Sequence, residues 1–321
     1  HDYCETLGVN KCDHKDDKIF SDFNSITTTF KDFAVNLEQN IIKTGIAELD
    51  ENVTLTTSML VGLLGAPSSG KTLAATNILN QASLAGLETA FYSLDMGSPL
   101  VTMRLIQRHT GYDQKEIYNI YKNNSREEKK INDILAENYA NVKFCFKSGM
   151  TVDDIRRSVV DHRLNTGKPL KLIVVDYLES INGPFSDGNA NVALISRQLK
   201  DLANDEKLLV LLLLQTQKHS GDPSSPLLSM RNVKGASTIE QDCSVILSIY
   251  REGFSATTPE NDKFITISAV KNRMGSLTSL DFAFDGKQGK IASLSDEGYQ
   301  ELKELRQFKK NAKETENGGS W

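Results

Sequence analysis

"LVGLLGAPSSGKT" runs from Leu60 to Thr72 and decides the fold. An apolar strand leads into Gly65-x4-Gly70-Lys71-Thr72, and a helical pattern follows. That is the phosphate-binding P-loop in the strand–loop–helix setting it requires. Glycines let backbone N–H groups wrap a phosphate chain, and the helix N-terminus adds a favourable dipole. Gly65, Ala66, Pro67, Ser68, Ser69, Gly70, Lys71, Thr72 and Leu73 are therefore the candidate nucleotide loop. Lys71 reaches the β- and γ-phosphates, and Thr72 ligates Mg²⁺.

Outward from the loop the chain alternates apolar runs with helical periodicity. Strands read at about 59–65, 89–94, 142–146, 170–175, 208–215, 244–250 and 263–270; helices read at about 70–85, 98–109, 126–138, 152–164 and 190–205. Strands buried on both faces, alternating with helices, predict an α/β domain with a mostly parallel sheet. Residues 277–294 read as a closing hairpin turning at Asp285-Gly286, and one domain fills 42–295. Ahead of it, residues 21–39 carry Phe23, Ile26, Phe30 and Leu37 at helical steps, with Ser21 as candidate N-cap. Residues 1–20 read as a flexible N-terminal segment and 296–321 as a polar C-terminal tail, frayed over 309–321. The first residues lack both an initiator Met and a basic-then-apolar signal region, so the chain is expected to be cut from something longer, or processed.

Composition sets bounds on partners. Of 321 residues, 39% are hydrophobic and 25% charged, ordinary values for a globular protein, and the net charge is −5. That balance excludes nucleic-acid binding by bulk positive charge but leaves room for a local basic channel. No apolar run approaches the ~18 residues of a membrane span. Four cysteines at spacings without a disulfide framework indicate a reducing, cytoplasmic setting, with Cys145 and Cys243 as small core hydrophobes. His1, Cys4, Cys12 and His14 could be the remnant of a zinc site, but their spacing matches no standard finger, and a disordered tail is preferred.

Polar residues at strand ends carry the remaining chemistry. "LKLIVVDYLES" (170–180) ends a buried strand in Asp176, where an acid holds Mg²⁺, often through water; otherwise it caps a turn. "FYSLDMGSP" places Asp95 at the end of another strand. Beside the P-loop strand it would face the γ-phosphate and could deprotonate an attacking water; alternatively it accepts backbone N–H bonds in the turn before Ser98. Gln215, ending "LLLLQ", can hydrogen-bond a γ-phosphate and sense its loss. Lys271 and Arg273 in "AVKNRMGS" lie two apart, so they project to one face.

From "TGIAELDENV" (44–53) onward, about 240 residues resemble the motor domain of DnaB-type replicative helicases, hexameric RecA-like ATPases of helicase superfamily 4. The stretches "GAPSSGKT", "FYSLDMGSPLVTMRLI", "KSGMTVDDIRRSVVDHR", "LIVVDYLESI", "STIEQDCSVILSIYRE" and "AVKNRMGS" occur in family order. The resemblance implies ATP and Mg²⁺ as cofactors and 5'-3' translocation on single-stranded DNA by a homo-oligomeric ring. A primase or helicase loader joins as partner, in a bacterial or phage-infected cell. It makes Asp95 the catalytic carboxylate, where the family usually has Glu. It also makes Arg273, supported by Lys271, an arginine finger reaching a neighbour's γ-phosphate. The helix at 21–39 resembles the family's linker helix, which docks on the adjacent subunit, so residues 21–41 form a linker. The loops at 182–191 and 218–237 are the candidate DNA contacts, with Arg231, Lys234 and Gly235 in the second. Two other readings are a RecA-like recombinase filament and a nucleotide-gated loading factor with weak hydrolysis.

Overall fold

A computed structural model describes residues 22–216, 236–252, 263–286 and 288–317. The chain divides into two compact units, one up to Asn40 and one from Ile41. In the first, helix α1 (Phe23–Val35) is followed at once by the single turn α2 (Leu37–Asn40). The N-cap is Asp22 rather than Ser21: its Oδ1 accepts the Ser25 N–H at 2.7 Å, the bond an N-cap supplies to an orphan amide. Asn36 breaks the helix because its amide side chain donates back to the Asp32 carbonyl at 2.8 Å. Phe23, Ile26 and Phe30 stand exposed.

The second unit is built on a nine-stranded sheet in the order β3-β2-β4-β5-β1-β6-β7-β8-β9. Helix α3 (Ala47–Asn52) precedes strand β1 (Met59–Gly65) and helix α4 (Lys71–Leu84). Strand β2 (Thr89–Ser93) leads into helices α5 (Ser98–Thr110), α6 (Gln114–Asn123) and α7 (Ser125–Asn138). Then follow β3 (Val142–Cys145), α8 (Val152–Thr166), β4 (Leu172–Asp176), α9 (Gly188–Asp205) and β5 (Leu209–Gln215). Helix α10 (Ala236–Asp242) and β6 (Val245–Glu252) complete the parallel half. Strands β7 (Phe264–Asn272), β8 (Thr278–Asp285) and β9 (Lys290–Ser293) add an antiparallel meander, and helix α11 (Asp296–Asn317) closes the unit.

Two apolar layers sandwich the sheet because successive strand residues point to opposite faces. Val61 and Leu63 on β1 and Leu209, Leu211 and Leu213 on β5 pack with Ala75, Ile78 and Leu79 of α4. Leu60, Leu64, Val210, Leu212 and Leu214 pack on the other face with Ile155 of α8 and Leu199 of α9. Cys243 belongs to this second layer.

Most of the stretch read as a polar C-terminal tail, Asp296–Asn317, is instead the 22-residue helix α11. Ser295 begins it by accepting the Gly298 N–H at 3.1 Å through its Oγ. Leu302 is buried, and Arg306 fastens the helix to the sheet through Asp281 (2.8 and 2.9 Å) and Thr266 (3.1 Å). The high charge of the segment hides one buried face. Helix α6 is obscure in the sequence for a related reason: among its residues only Ile117 is buried, although Asp113 and Glu116 form a complete capping box. The expected closing hairpin is present as β8–β9. The N-terminal residues 1–20, with His1, Cys4, Cys12 and His14, lie outside the described residues.

Candidate functional site

The P-loop occupies the turn between β1 and α4, and its geometry explains its glycines. A side chain at Gly65 would collide with the Ser69 hydroxyl, and Gly70 sits at φ 98°, in the left-handed region. Lys71 opens α4 and folds back over the loop, its Nζ donating to the Gly65 and Ala66 carbonyls at 2.8 and 2.7 Å. Burial pushes the Lys71 ammonium down to about 8, against the opposing pull of Asp176 and Glu179.

Next along α4, Thr72 Oγ1 donates to Asp176 Oδ2 at 2.8 Å. Asp176 ends β4 and is itself buried. Burial raises its pKa; Thr72, Lys71 and Arg104 oppose the rise, and Asp95 adds to it. A hydroxyl and a buried carboxylate in contact are a hard-oxygen pair that suits Mg²⁺. A divalent cation there would also supply the charge that the buried carboxylate needs. Among the described residues no group of three or more His, Cys, Asp or Glu is placed to hold a metal.

Asp95 reaches this site by a different route from the one the sequence suggests. Its strand does not lie beside the P-loop strand: β4 and β5 stand between β2 and β1. Ser93 pairs in register with Asp176, and the Leu94 N–H donates to the Asp176 carbonyl at 2.9 Å. Asp95 is therefore the second residue past that pairing, exposed at the rim of the same cleft. Ser93 Oγ donates to the Met96 carbonyl at 2.8 Å and fixes the turn around it.

Gln215 pairs in register with Gly65, so the end of β5 sits directly beside the start of the loop. The cleft joining these groups has a volume of about 390 Å³ and includes Lys71, Thr72, Asp95, Asp176 and Gln215 in its wall. Pro67, Ser68, Gly70 and Leu73 line it too, while Gly65 and Ala66 hold Lys71 and Ser69 is buried.

The lining residues not singled out from the sequence include Arg104 on α5, Arg251 on β6 and Phe284 on β8. The Arg251 guanidinium lies 4.6 Å from the Phe284 ring centroid and donates to the Ser68 carbonyl at 2.8 Å. A cation stacked on an aromatic ring beside a phosphate loop is a flat wall suited to a nucleobase. The signal available was "IYRE", a basic residue just past an apolar strand. That this strand neighbours β1 is a matter of tertiary pairing, which the local pattern does not carry.

Lys271 and Arg273 are brought together, but away from this cleft. At the end of β7 both turn to the last turn of α10, where Lys271 Nζ donates to the Glu240 carbonyl and Arg273 Nη2 to the Gln241 carbonyl at 2.7 Å. A register shift between Ile246 and Leu247 in the β6–β7 ladder precedes them. Burial lowers the Lys271 pKa, and Arg273 adds to the effect.

Of the two candidate DNA loops, the first runs from 182 to 187 before α9 starts at Gly188. Asn191 holds its tip, accepting the Phe185 N–H at 2.8 Å and donating to the Phe185 carbonyl at 2.7 Å. Arg231, Lys234 and Gly235 of the second lie outside the described residues. Among the described residues no helix is long and apolar enough to cross a membrane.

Comparison with known proteins agrees with this geometry. The family model described as DnaB-like helicase C terminal domain matches residues 41–293. The replicative DNA helicase DnaB of Haemophilus influenzae is 30% identical over 274 residues, covering 80% of this chain and 56% of that protein. The replicative DNA helicase DnaC of Bacillus subtilis is 27% identical, covering 79% of this chain and 56% of that protein. The chain thus spans about half the length of the curated relatives it matches. Among solved structures, an isolated ATPase domain superposes with a TM-score of 0.74 at 22% identity, covering 86% of this chain and all of that one. A DnaB-like replicative helicase, solved with its interactions with primase, gives 0.70 at 22% identity over 86% of this chain and 68% of that one. At that identity the likeness establishes the fold, a RecA-like mixed α/β domain.

Proposed function

Because the chain belongs to the family of DnaB-like helicase C-terminal domains, we propose that it is the ATP-hydrolysing motor of a replicative DNA helicase. The observation that carries this reading is the meeting of Lys71, Thr72, Asp176, Asp95 and Gln215 in one cleft at the P-loop. Lys71 holds the β- and γ-phosphates, and the loop amides with the α4 N-terminus hold the rest of the chain of phosphates. Thr72 and Asp176 would hold Mg²⁺, which would supply positive charge against the phosphates. Asp95 orients a water in line with the γ-phosphate and takes its proton. Gln215 reports the loss of that phosphate from the end of β5, and the Arg251–Phe284 wall receives the base.

Arg273 and Lys271 do not line their own subunit's cleft, which suits cations supplied to a neighbour's site. Residues 21–41 act as a linker to that neighbour, and residues 42–295 form the motor. The ring closes around single-stranded DNA in the cytoplasm, the loops at 182–191 and 218–237 gripping its backbone with Arg231, Lys234 and Gly235. Translocation is 5'-3'. Primase or a loader binds the assembled helicase, as the primase interactions of the DnaB-like neighbour suggest.

The test is steady-state ATP hydrolysis with and without single-stranded DNA across protein concentrations, beside Lys71→Ala. Hydrolysis that rises with both DNA and protein concentration, and is lost in the variant, supports the motor. Nucleotide binding without turnover at any concentration would overturn it in favour of a nucleotide-gated scaffold.

A further inference from the structure

Asp242 is 1% exposed, a carboxylate buried at the end of α10. A buried charge is costly unless partnered, so its partners show what it is for. Among the described residues, the side chains that partner its carboxylate lie on α9. Ser196 Oγ donates to its Oδ2 at 3.1 Å, Arg197 Nε lies 3.1 Å from Oδ1, and Lys200 Nζ lies 3.7 Å from the same oxygen. Ser196 is fully buried, whereas the side chains of Arg197 and Lys200 reach the surface. The carboxylate thus ties α10 to α9 by charge, at a contact where Ile239 of α10 also shares the apolar layer of Ile195 and Leu199.

What lies on the other side of that point gives it significance. The two carbonyls preceding Asp242, those of Glu240 and Gln241, accept Lys271 and Arg273. Two residues beyond, the Ser244 carbonyl accepts the Arg273 N–H at 3.1 Å, and the Ser244 N–H donates to Leu60 of the P-loop strand at 2.8 Å. The short helix α10 is therefore a cradle for both cations, and the cradle is held to α9 by Asp242. Helix α9 in turn follows the loop 182–187.

We propose that Asp242 is a positioning residue for the cations this subunit supplies to its neighbour's site. By tying α10 to α9 it fixes where Arg273 and Lys271 are presented. This rests on the reading of Arg273 as a finger acting in trans. An arginine stabilises charge on a transferring phosphoryl group only when correctly placed, and misplacement by about 1 Å can cost about 100-fold in rate.

Complementation between subunits tests this without relying on loss of activity alone. A Lys71→Ala subunit has a dead P-loop but an intact finger; an Arg273→Ala subunit has the reverse defect. Mixed, the two should recover hydrolysis at the hybrid interfaces. Asp242→Asn, which keeps the shape and removes the charge, should bind nucleotide as wild type and lose hydrolysis about 10- to 100-fold. It should regain hydrolysis when mixed with Lys71→Ala but not with Arg273→Ala. Arg197→Ala, truncating a half-exposed side chain, should fall in the same group with a smaller defect and serves if Asp242→Asn does not fold. If Lys71→Ala and Arg273→Ala fail to complement, the trans-finger reading has failed, and this proposal with it. If those two complement but Asp242→Asn recovers with Arg273→Ala and not with Lys71→Ala, Asp242 serves its own subunit's cleft and the proposal alone is overturned. Wild-type hydrolysis in both Asp242→Asn and Arg197→Ala overturns it as well.

Discussion

Nucleotide affinity should fall as pH rises through about 8, because Lys71 titrates there. Burial has moved this ammonium from its ordinary 10.5 to about 8. Phosphates against Nζ favour the charged form, so the bound state keeps its proton across this range. At pH 7 roughly ten-elevenths of the free protein carries the proton, and at pH 9 roughly one-eleventh. Binding at pH 9 must therefore recruit a proton, and affinity should be about 10-fold weaker than at pH 7, a difference of about 1.4 kcal/mol. A phosphate's last ionisation lies near 6, so the nucleotide itself contributes little in this window. The assay is calorimetric titration with a non-hydrolysable ATP analogue and Mg²⁺ at pH 7, 8 and 9, in two buffers of different ionisation enthalpy. Proton uptake should rise from about 0.1 to about 0.9 per site over that interval. Lys71→Met should bind more weakly and lose the slope. Affinity flat from pH 7 to 9, or a slope that survives in Lys71→Met, would refute the argument. Folding responds with the opposite sign: the folded pKa lies below the unfolded one, so the buried ammonium costs stability below pH 8. That cost is relieved as pH rises from 8 towards 10.5.

Asp95→Asn should reduce turnover by about 10²-fold or more while leaving nucleotide affinity within about twofold, since only base catalysis is removed. Single-turnover hydrolysis beside equilibrium binding separates the two, and unchanged turnover would return Asp95 to turn chemistry. Arg306→Ala should cost about 1–3 kcal/mol by urea denaturation, because it strips Asp281 of a two-pronged partner and releases α11. Burial pushes the Asp281 carboxyl up, but its bonds to Arg306 and Thr266 prevail and hold it low. This contribution is present above the ordinary carboxylate range and is lost as pH falls through the lower folded value. The acid limb of the stability curve should accordingly be shallower in Arg306→Ala. An identical limb would show that the pair carries no such linkage.

The parts of the fold written in local pattern are legible in the amino-acid sequence alone. The run Leu208–Leu214 reads as a strand buried on both faces because every residue in it is apolar, and β5 lies inside the sheet between β4 and β1. Gly65, Gly70 and Lys71 are legible because their spacing and setting rarely arise together otherwise. Strand order is not: Asp95 comes close to Asp176 through the pairing of β2 with β4, segments far apart in the chain, and nothing local encodes it. The Arg251–Phe284 wall is hidden for the same reason, since it forms across β6, β7 and β8. Helix α11 is missed when charge is weighed above periodicity, although Ser295, Leu302 and Arg306 mark a cap, a buried face and an anchor.

The sheet's two flanks, β3 and β9, are each only four residues long. Short outer strands make poor templates for another chain's backbone, which limits edge-to-edge pairing. In the ring proposed above, neighbours would therefore meet through side chains and loops, such as those that present Arg273, and not through a ladder continued from one copy into the next. In that ring a subunit could rock against its neighbour during a nucleotide cycle with no strand to unzip and no register to recover.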